Sequence, residues 1–110
     1  MADPSTLDKL AAVISERRKS TADKSYTRQL LDAGPEKCAR KFGEEAIETV
    51  LAGVGSDPKA LTAEAADTLY HLLVLLEVRG VALADVYAEL ERRMGTSGID
   101  EKKSRGGSPS

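Results

Sequence analysis

The chain has 110 residues, 41% of them hydrophobic and 31% charged, with a formal net charge of −2. That length fits one small domain with a modest core, and so balanced a charge argues against a general nucleic-acid-binding surface. One Cys, one His, one Phe, three Tyr and no Trp exclude an internal disulfide and a Cys/His zinc cage, and they weaken any base-stacking aromatic platform.

Near the N-terminus, Asp3 and Pro4 stand where a signal peptide would carry a basic and then an apolar stretch. The longest apolar run, residues 72–76, is far too short to span a bilayer. A cytoplasmic protein without membrane contact is the expectation. Helix-favouring residues dominate, and no segment shows strand alternation. Residues 6 to about 18 predict a first helix, with Ser5 as its cap and Leu7, Leu10, Ala11 and Ile14 as one apolar stripe. Residues 19–24 are polar and read as a loop. A short helix follows over 26–33, capped by Ser25 and ended by Gly34.

Pro35 opens the next helix, because a proline in the first turn loses no helical hydrogen bond. This helix is expected to reach Ala52. Gly43 within it costs about 1 kcal/mol relative to Ala; a close approach by a neighbouring helix or ligand, and chance, are equal readings of it. Cys38 on the same helix reads as a small packed side chain. After a break at 53–56, Asp57 and Pro58 supply a cap and a first-turn proline. That helix is expected to run to Arg79 and stop at Gly80. Leu61, Ala65, Leu69, Leu72, Leu73 and Leu76 give it an apolar stripe broad enough for two neighbours. A last helix spans residues 83 to about 94, with Val86, Leu90 and the stem of Arg93 to one side. From Gly95 the composition turns to Gly, Ser, Lys and Asp. The expected organisation is a helical domain over 1–94 and a largely flexible segment over 95–110. Short connections between long helices favour antiparallel neighbours, giving an all-α antiparallel bundle of four to five helices, and the small core makes a dimer the expectation.

Two acidic clusters interrupt these patterns: Glu44-Glu45-Ala46-Ile47-Glu48, then Glu64-Ala65-Ala66-Asp67. In each, two carboxylates three positions apart leave one helix face about one turn from each other. Lys41, Glu44, Glu45 and Glu48 share a side of the first helix, bordered by Ile47 and Leu51, as at the margin of a core. On the next helix Glu64, Asp67 and His71 share a side and border the leucines. If these helices pack antiparallel, Glu45, Glu48, Glu64 and Asp67 meet in one cleft. A charge of about −4 there needs compensation. Mg²⁺ takes carboxylate oxygens, keeps waters for a phosphate substrate and lowers the pKa of a bound water. The plain alternative is a solvated acidic face laced by i,i+4 pairs from Arg40 to Glu44 and from Lys41 to Glu45.

His71 has two readings: a side chain bonded to Asp67 or packed near the core, and a ligand or proton-transfer group. Lys37, Arg40 and Lys41 are solvated helix charges or, for one or two of them, phosphate contacts. Ser25, Tyr26 and Thr27 set three hydroxyls together, either as cap and turn or as phosphate or sugar contacts. No phosphate-cradling Gly-x-x-x-x-Gly-Lys-Ser/Thr loop is present.

The two acidic clusters resemble the Glu-Glu-x-x-Glu and Glu-x-x-Asp pattern of the all-α nucleotide pyrophosphatase (MazG-like) superfamily. The flanking segments narrow the resemblance to the phosphoribosyl-ATP pyrophosphatases of histidine biosynthesis. Ser25-Tyr26-Thr27 leads to Leu30-Leu31 and Gly34. Lys41-Phe42-Gly43-Glu44-Glu45 resembles the family's Lys-Val-Gly-Glu-Glu, with Phe42 a mild departure. The run Glu64-Ala65-Ala66-Asp67-Thr68-Leu69-Tyr70-His71 and the leucines after it match the family helix. Thr96-Ser97-Gly98-Ile99-Asp100-Glu101-Lys102 resembles its C-terminal segment. The resemblance implies hydrolysis of phosphoribosyl-ATP to phosphoribosyl-AMP and pyrophosphate by a homodimer. It implies Mg²⁺ on Glu45, Glu48, Glu64 and Asp67, with Glu44 a further ligand or the group positioning the attacking water. Glu44, Glu45 and Glu48 are thus the expected catalytic carboxylates. Lys37, Lys41, Ser25, Tyr26, Thr27 and His71 are the expected substrate contacts. Two other functions fit the acidic faces: a house-cleaning pyrophosphatase acting on free NTPs, and a non-catalytic helical dimer binding a basic partner.

Overall fold

The computed structural model describes residues 4–19 and 25–95. The expectations for the loop at 20–24 and the segment from Thr96 onward lie outside the described residues.

Five helices follow one another: α1 (Thr6–Lys19), α2 (Tyr26–Ala33), α3 (Pro35–Val54), α4 (Pro58–Val78) and α5 (Leu83–Met94). No strand occurs among the described residues. The starts follow from local chemistry. Before α1, the Asp8 N–H donates to Ser5 Oγ at 3.1 Å while the Ser5 N–H donates to the Asp8 carboxylate at 2.9 Å. This reciprocal box satisfies two donors that a helix start leaves open. The Ser25 hydroxyl caps α2 by accepting from the Arg28 N–H, and Asp57 caps α4 by accepting from the Lys59 N–H. At the far end of α4, Gly80 adopts φ 72°, and the Val81 N–H reaches back to the Leu76 carbonyl at 2.9 Å. That wrap needs a residue free to enter the left-handed region.

Three boundaries differ from the sequence reading. α1 takes in Lys19, α3 runs on through Gly53 to Val54, and α4 ends at Val78. A Cβ at Gly53 would meet a Leu61 methyl of α4 at an ordinary contact distance of 3.9 Å, so packing does not demand glycine there. Gly43 has nothing comparable within 4 Å, so no close approach explains it.

The core joins α1 to α4. Ile14, Leu30, Leu31, Cys38, Leu73 and Val74 are buried together, with Leu7, Leu10, Ala11, Tyr70 and Leu76 packed around them. The broad stripe expected on α4 is only partly a core face. Leu73 is buried, but Leu61 and Leu69 are 37% and 43% exposed. Val74, outside that stripe, is among the most buried residues. The reason is that α4 packs against α1 and α2 as well as α3, so its buried face rotates along its length. α5 contributes no fully buried residue. Tyr87 meets Ser5 at 3.1 Å, and Val81, Val86, Leu90 and Arg93 line an open groove of about 360 Å³.

The α3–α4 pair positions the acidic clusters. Only Gly55, Ser56 and Asp57 connect the two helices, and the pairing is antiparallel: Thr68 bonds Glu45, Thr49 bonds Glu64, and Gly53 faces Leu61. Ile47 and Leu51, expected to border a core, are instead 62% and 63% exposed. With Val50 and Val54 they form an uncovered apolar stripe at i, i+3, i+4 and i+7 on α3.

Candidate active site

Antiparallel pairing brings Glu45 of α3 against Glu64 and Asp67 of α4. Each offers a carboxylate oxygen, and the three oxygens lie within 4.8 Å of one another. Glu45 and Glu64 are partly buried and Asp67 is exposed. Glu48, one turn further along α3, is exposed and does not join this triad, yet its charge reaches Glu64. The Glu64 carboxyl is raised above its ordinary value, first by desolvation and then by the charges of Glu48, Asp67 and Glu45. Like charges held this close oppose ionisation. Glu44 is exposed and lies outside the triad.

Positive compensation from the chain itself is slight. Lys41 Nζ stands 3.9 Å from Glu45 Oε1, the outer edge of an ion pair. The expected Arg40–Glu44 pair does not form, and Lys37 is exposed and makes no ion pair among the described residues. The donor set is therefore all oxygen, net negative and under-neutralised. This is what a hard divalent cation requires, and a site for softer metals would need sulfur or nitrogen ligands.

The residues before and after the triad are more occupied. His71 is 6% exposed. Its Nδ1 lies 2.8 Å from the Asp67 backbone carbonyl, and since a carbonyl only accepts, Nδ1 carries the proton. Nε2 then accepts from the Tyr26 hydroxyl at 3.3 Å when the ring is neutral. His71 thus bonds to Asp67, but through the main chain, leaving the carboxylate free. Thr27 is buried and pairs with the Tyr70 hydroxyl. Burial raises the Tyr70 phenol above its usual value, so it stays protonated near neutral pH. Tyr70 and His71 meet edge to face at 4.9 Å. Ser25 caps α2, and Tyr26 is 49% exposed. Of the hydroxyls singled out, Tyr26 alone combines wide exposure with a link to the α4 end of the site.

Two residues that the sequence reading passed over lie beneath the carboxylates. Thr49 Oγ1 and Thr68 Oγ1 are 2.6 Å apart. Thr68 Oγ1 lies 2.9 Å from the Glu45 carbonyl across the helix pair, and Thr49 Oγ1 lies 3.0 Å from the Glu64 carbonyl. Thr49 is also 3.0 Å from the carbonyl of Glu45 on its own helix. The available signal was positional. In each cluster a threonine stands four residues after a carboxylate of the triad, on the same helix face.

The family model for phosphoribosyl-ATP pyrophosphohydrolase matches residues 7–94. The chain belongs to this family. A phosphoribosyl-ATP pyrophosphatase from Cereibacter sphaeroides is 57% identical over 102 residues, covering 93% of this chain and 99% of its own length. One from Dinoroseobacter shibae is 58% identical over 101 residues, covering 92% and 99%. One from Roseobacter denitrificans is 58% identical over 100 residues, covering 91% and 95%. The match takes in all five helices, and with them the triad, Glu48 and the paired threonines.

Proposed function

We propose that the chain hydrolyses phosphoribosyl-ATP to phosphoribosyl-AMP and pyrophosphate, with Mg²⁺ held by Glu45, Glu64 and Asp67 and with Glu48 completing the set. The convergence of three carboxylates from two helices, in a chain of this family, carries the reading. Water adds to phosphorus, the bond to the departing pyrophosphate breaks, and the water's proton passes to solvent or a carboxylate. Bound Mg²⁺ supplies charge neutralisation for the phosphates and activates water. The chain's own residues supply the rest. Glu44, exposed on α3 and next in sequence to Glu45, is the group assigned in this proposal to orient the attacking water. Lys41, only loosely paired with Glu45, and the exposed Lys37 are available as point charges for phosphate oxygens. Tyr26, half-exposed as a residue and with its hydroxyl on His71, is the substrate contact assigned to this end. Ser25 and Thr27 shape this end by capping α2 and by pairing with Tyr70.

A homodimer belongs to the same proposal, supported by the stripe of Ile47, Val50, Leu51 and Val54, each between 62% and 83% exposed. Soluble monomers rarely leave so continuous an apolar face open. Among the described residues no helix is long and apolar enough to cross a membrane. On this proposal the reaction runs in the cytoplasm, where a charged nucleotide substrate is retained.

Product analysis tests the chemistry. Chromatography of a phosphoribosyl-ATP digest is expected to show phosphoribosyl-AMP and pyrophosphate in equal amounts. The folded Asp67→Asn variant is expected to lose turnover by about 100-fold or more, as removal of a metal ligand does. Release of orthophosphate instead, or near-normal turnover by Asp67→Asn, would refute the assignment.

A further inference from the structure

The strongest feature that the proposed chemistry leaves unused is the threonine pair between α3 and α4. Four oxygen contacts share two hydroxyl protons here: Oγ1 to Oγ1, Thr68 Oγ1 to the Glu45 carbonyl, and Thr49 Oγ1 to the Glu45 and Glu64 carbonyls. The contacts are reciprocal. The threonine of α4 reaches the main chain of the α3 ligand residue, and the threonine of α3 reaches the main chain of an α4 ligand residue. A mid-helix threonine ordinarily satisfies itself on the carbonyl four residues back within its own helix. Thr68 crosses to Glu45 instead, and the carbonyl it would have used, that of Glu64, is taken by Thr49.

We infer that Thr49 and Thr68 are positioning residues that set the separation of the Glu45 and Glu64 carboxylates, and so tune the site's affinity for its divalent cation. This rests on the function proposed above. The physical argument is one of distance. Hydroxyl contacts of 2.6–3.0 Å let the two helices approach closely at the level of the ligands. A methyl in place of either hydroxyl needs about 3.3–3.6 Å to an oxygen. Valine, with the same shape as threonine, therefore wedges α3 from α4 by roughly half an ångström and removes one of the two shared hydroxyl protons. That shift moves the Glu45 backbone away from the Glu64 backbone, and with it the carboxylate oxygens that lie within 4.8 Å of one another. The threonines touch neither cation nor substrate and act only through Glu45 and Glu64.

The test is calorimetric titration of Mg²⁺ into the full chain without substrate, for wild type, Thr68→Val, Thr49→Val and Thr68→Ser, with circular dichroism and Tm recorded for each. Both valine variants are expected to weaken Mg²⁺ binding by about tenfold or more, the usual effect of losing a group that orients a metal ligand, and Thr68→Ser to stay within about twofold of wild type. The Mg²⁺ concentration for half-maximal turnover should rise in parallel, while KM for phosphoribosyl-ATP at saturating Mg²⁺ holds. Should Thr68→Val fail to fold, Thr49→Val carries the same readout. A lowered Tm with unchanged Mg²⁺ affinity in the folded variants would overturn the inference, since a merely structural contact predicts that result. A wild type that neither binds Mg²⁺ nor cleaves phosphoribosyl-ATP would instead overturn the proposed function.

Discussion

Leu51→Ser should turn a dimer into a monomer while leaving the helical fold intact. Leu51 is 63% exposed within one chain, so the substitution removes little from the protomer's own packing. Burying a whole leucine side chain is worth roughly 1.5–3 kcal/mol, and covering the exposed share of Leu51 is therefore worth about 1–2 kcal/mol. A two-fold interface counts each residue twice, giving about 2–4 kcal/mol per dimer. That corresponds to a weakening of Kd by roughly 30- to several-hundred-fold. Sedimentation velocity across a concentration series reads this shift directly, with circular dichroism confirming the helices. A wild type that stays monomeric at every concentration would refute the reasoning. So would a Leu51→Ser dimer as tight as wild type, because the stripe would then be uncovered or covered by something other than a second copy.

Two further outcomes follow from local geometry. Arg92 and Arg93 lower the Glu89 carboxyl from its ordinary 4.5 to about 2. A folded-state value below the unfolded one means that the stability Glu89 contributes is fully present above pH 4.5 and is lost as pH falls toward 2. The Tm gap between wild type and Glu89→Gln should accordingly close on acidification, and a gap that widens would contradict the ion pairs. Cys38 is 1% exposed, with its thiol on the Leu30 carbonyl, and burial raises its pKa. Its labelling by a thiol reagent should track global unfolding, and rapid labelling of the native chain would show that the α1–α4 core opens locally.

The helices and their caps were legible because they depend on neighbours in sequence. Ser25, Asp57, the two first-turn prolines and Gly80 each act within a few residues of themselves, and each sits where local chemistry places it. What depended on register was harder to read. The spacing within each acidic cluster put pairs of carboxylates on a face, but only the antiparallel alignment of α3 and α4 selects Glu45, Glu64 and Asp67 as the converging three and leaves Glu48 at the edge. The partner of His71 is the main-chain carbonyl of Asp67, an atom that every residue carries and no sequence pattern marks. Exposure of Leu61 and Leu69 could not be read from periodicity, because a helix that meets three neighbours has no single buried face. The apolar border at Ile47 and Leu51 was visible in sequence, yet whether it closes a core or awaits another chain is decided by what lies opposite.

Pyrophosphate release from phosphoribosyl-ATP and from a panel of ordinary NTPs, each with Mg²⁺ and with chelator, separates the proposed reaction from general nucleotide hydrolysis. Mg²⁺-dependent release that strongly favours phosphoribosyl-ATP and vanishes on chelation is the expected result. Release confined to the NTPs would contradict the assigned substrate, and release that persists without a divalent cation would contradict the role given to Glu45, Glu64 and Asp67.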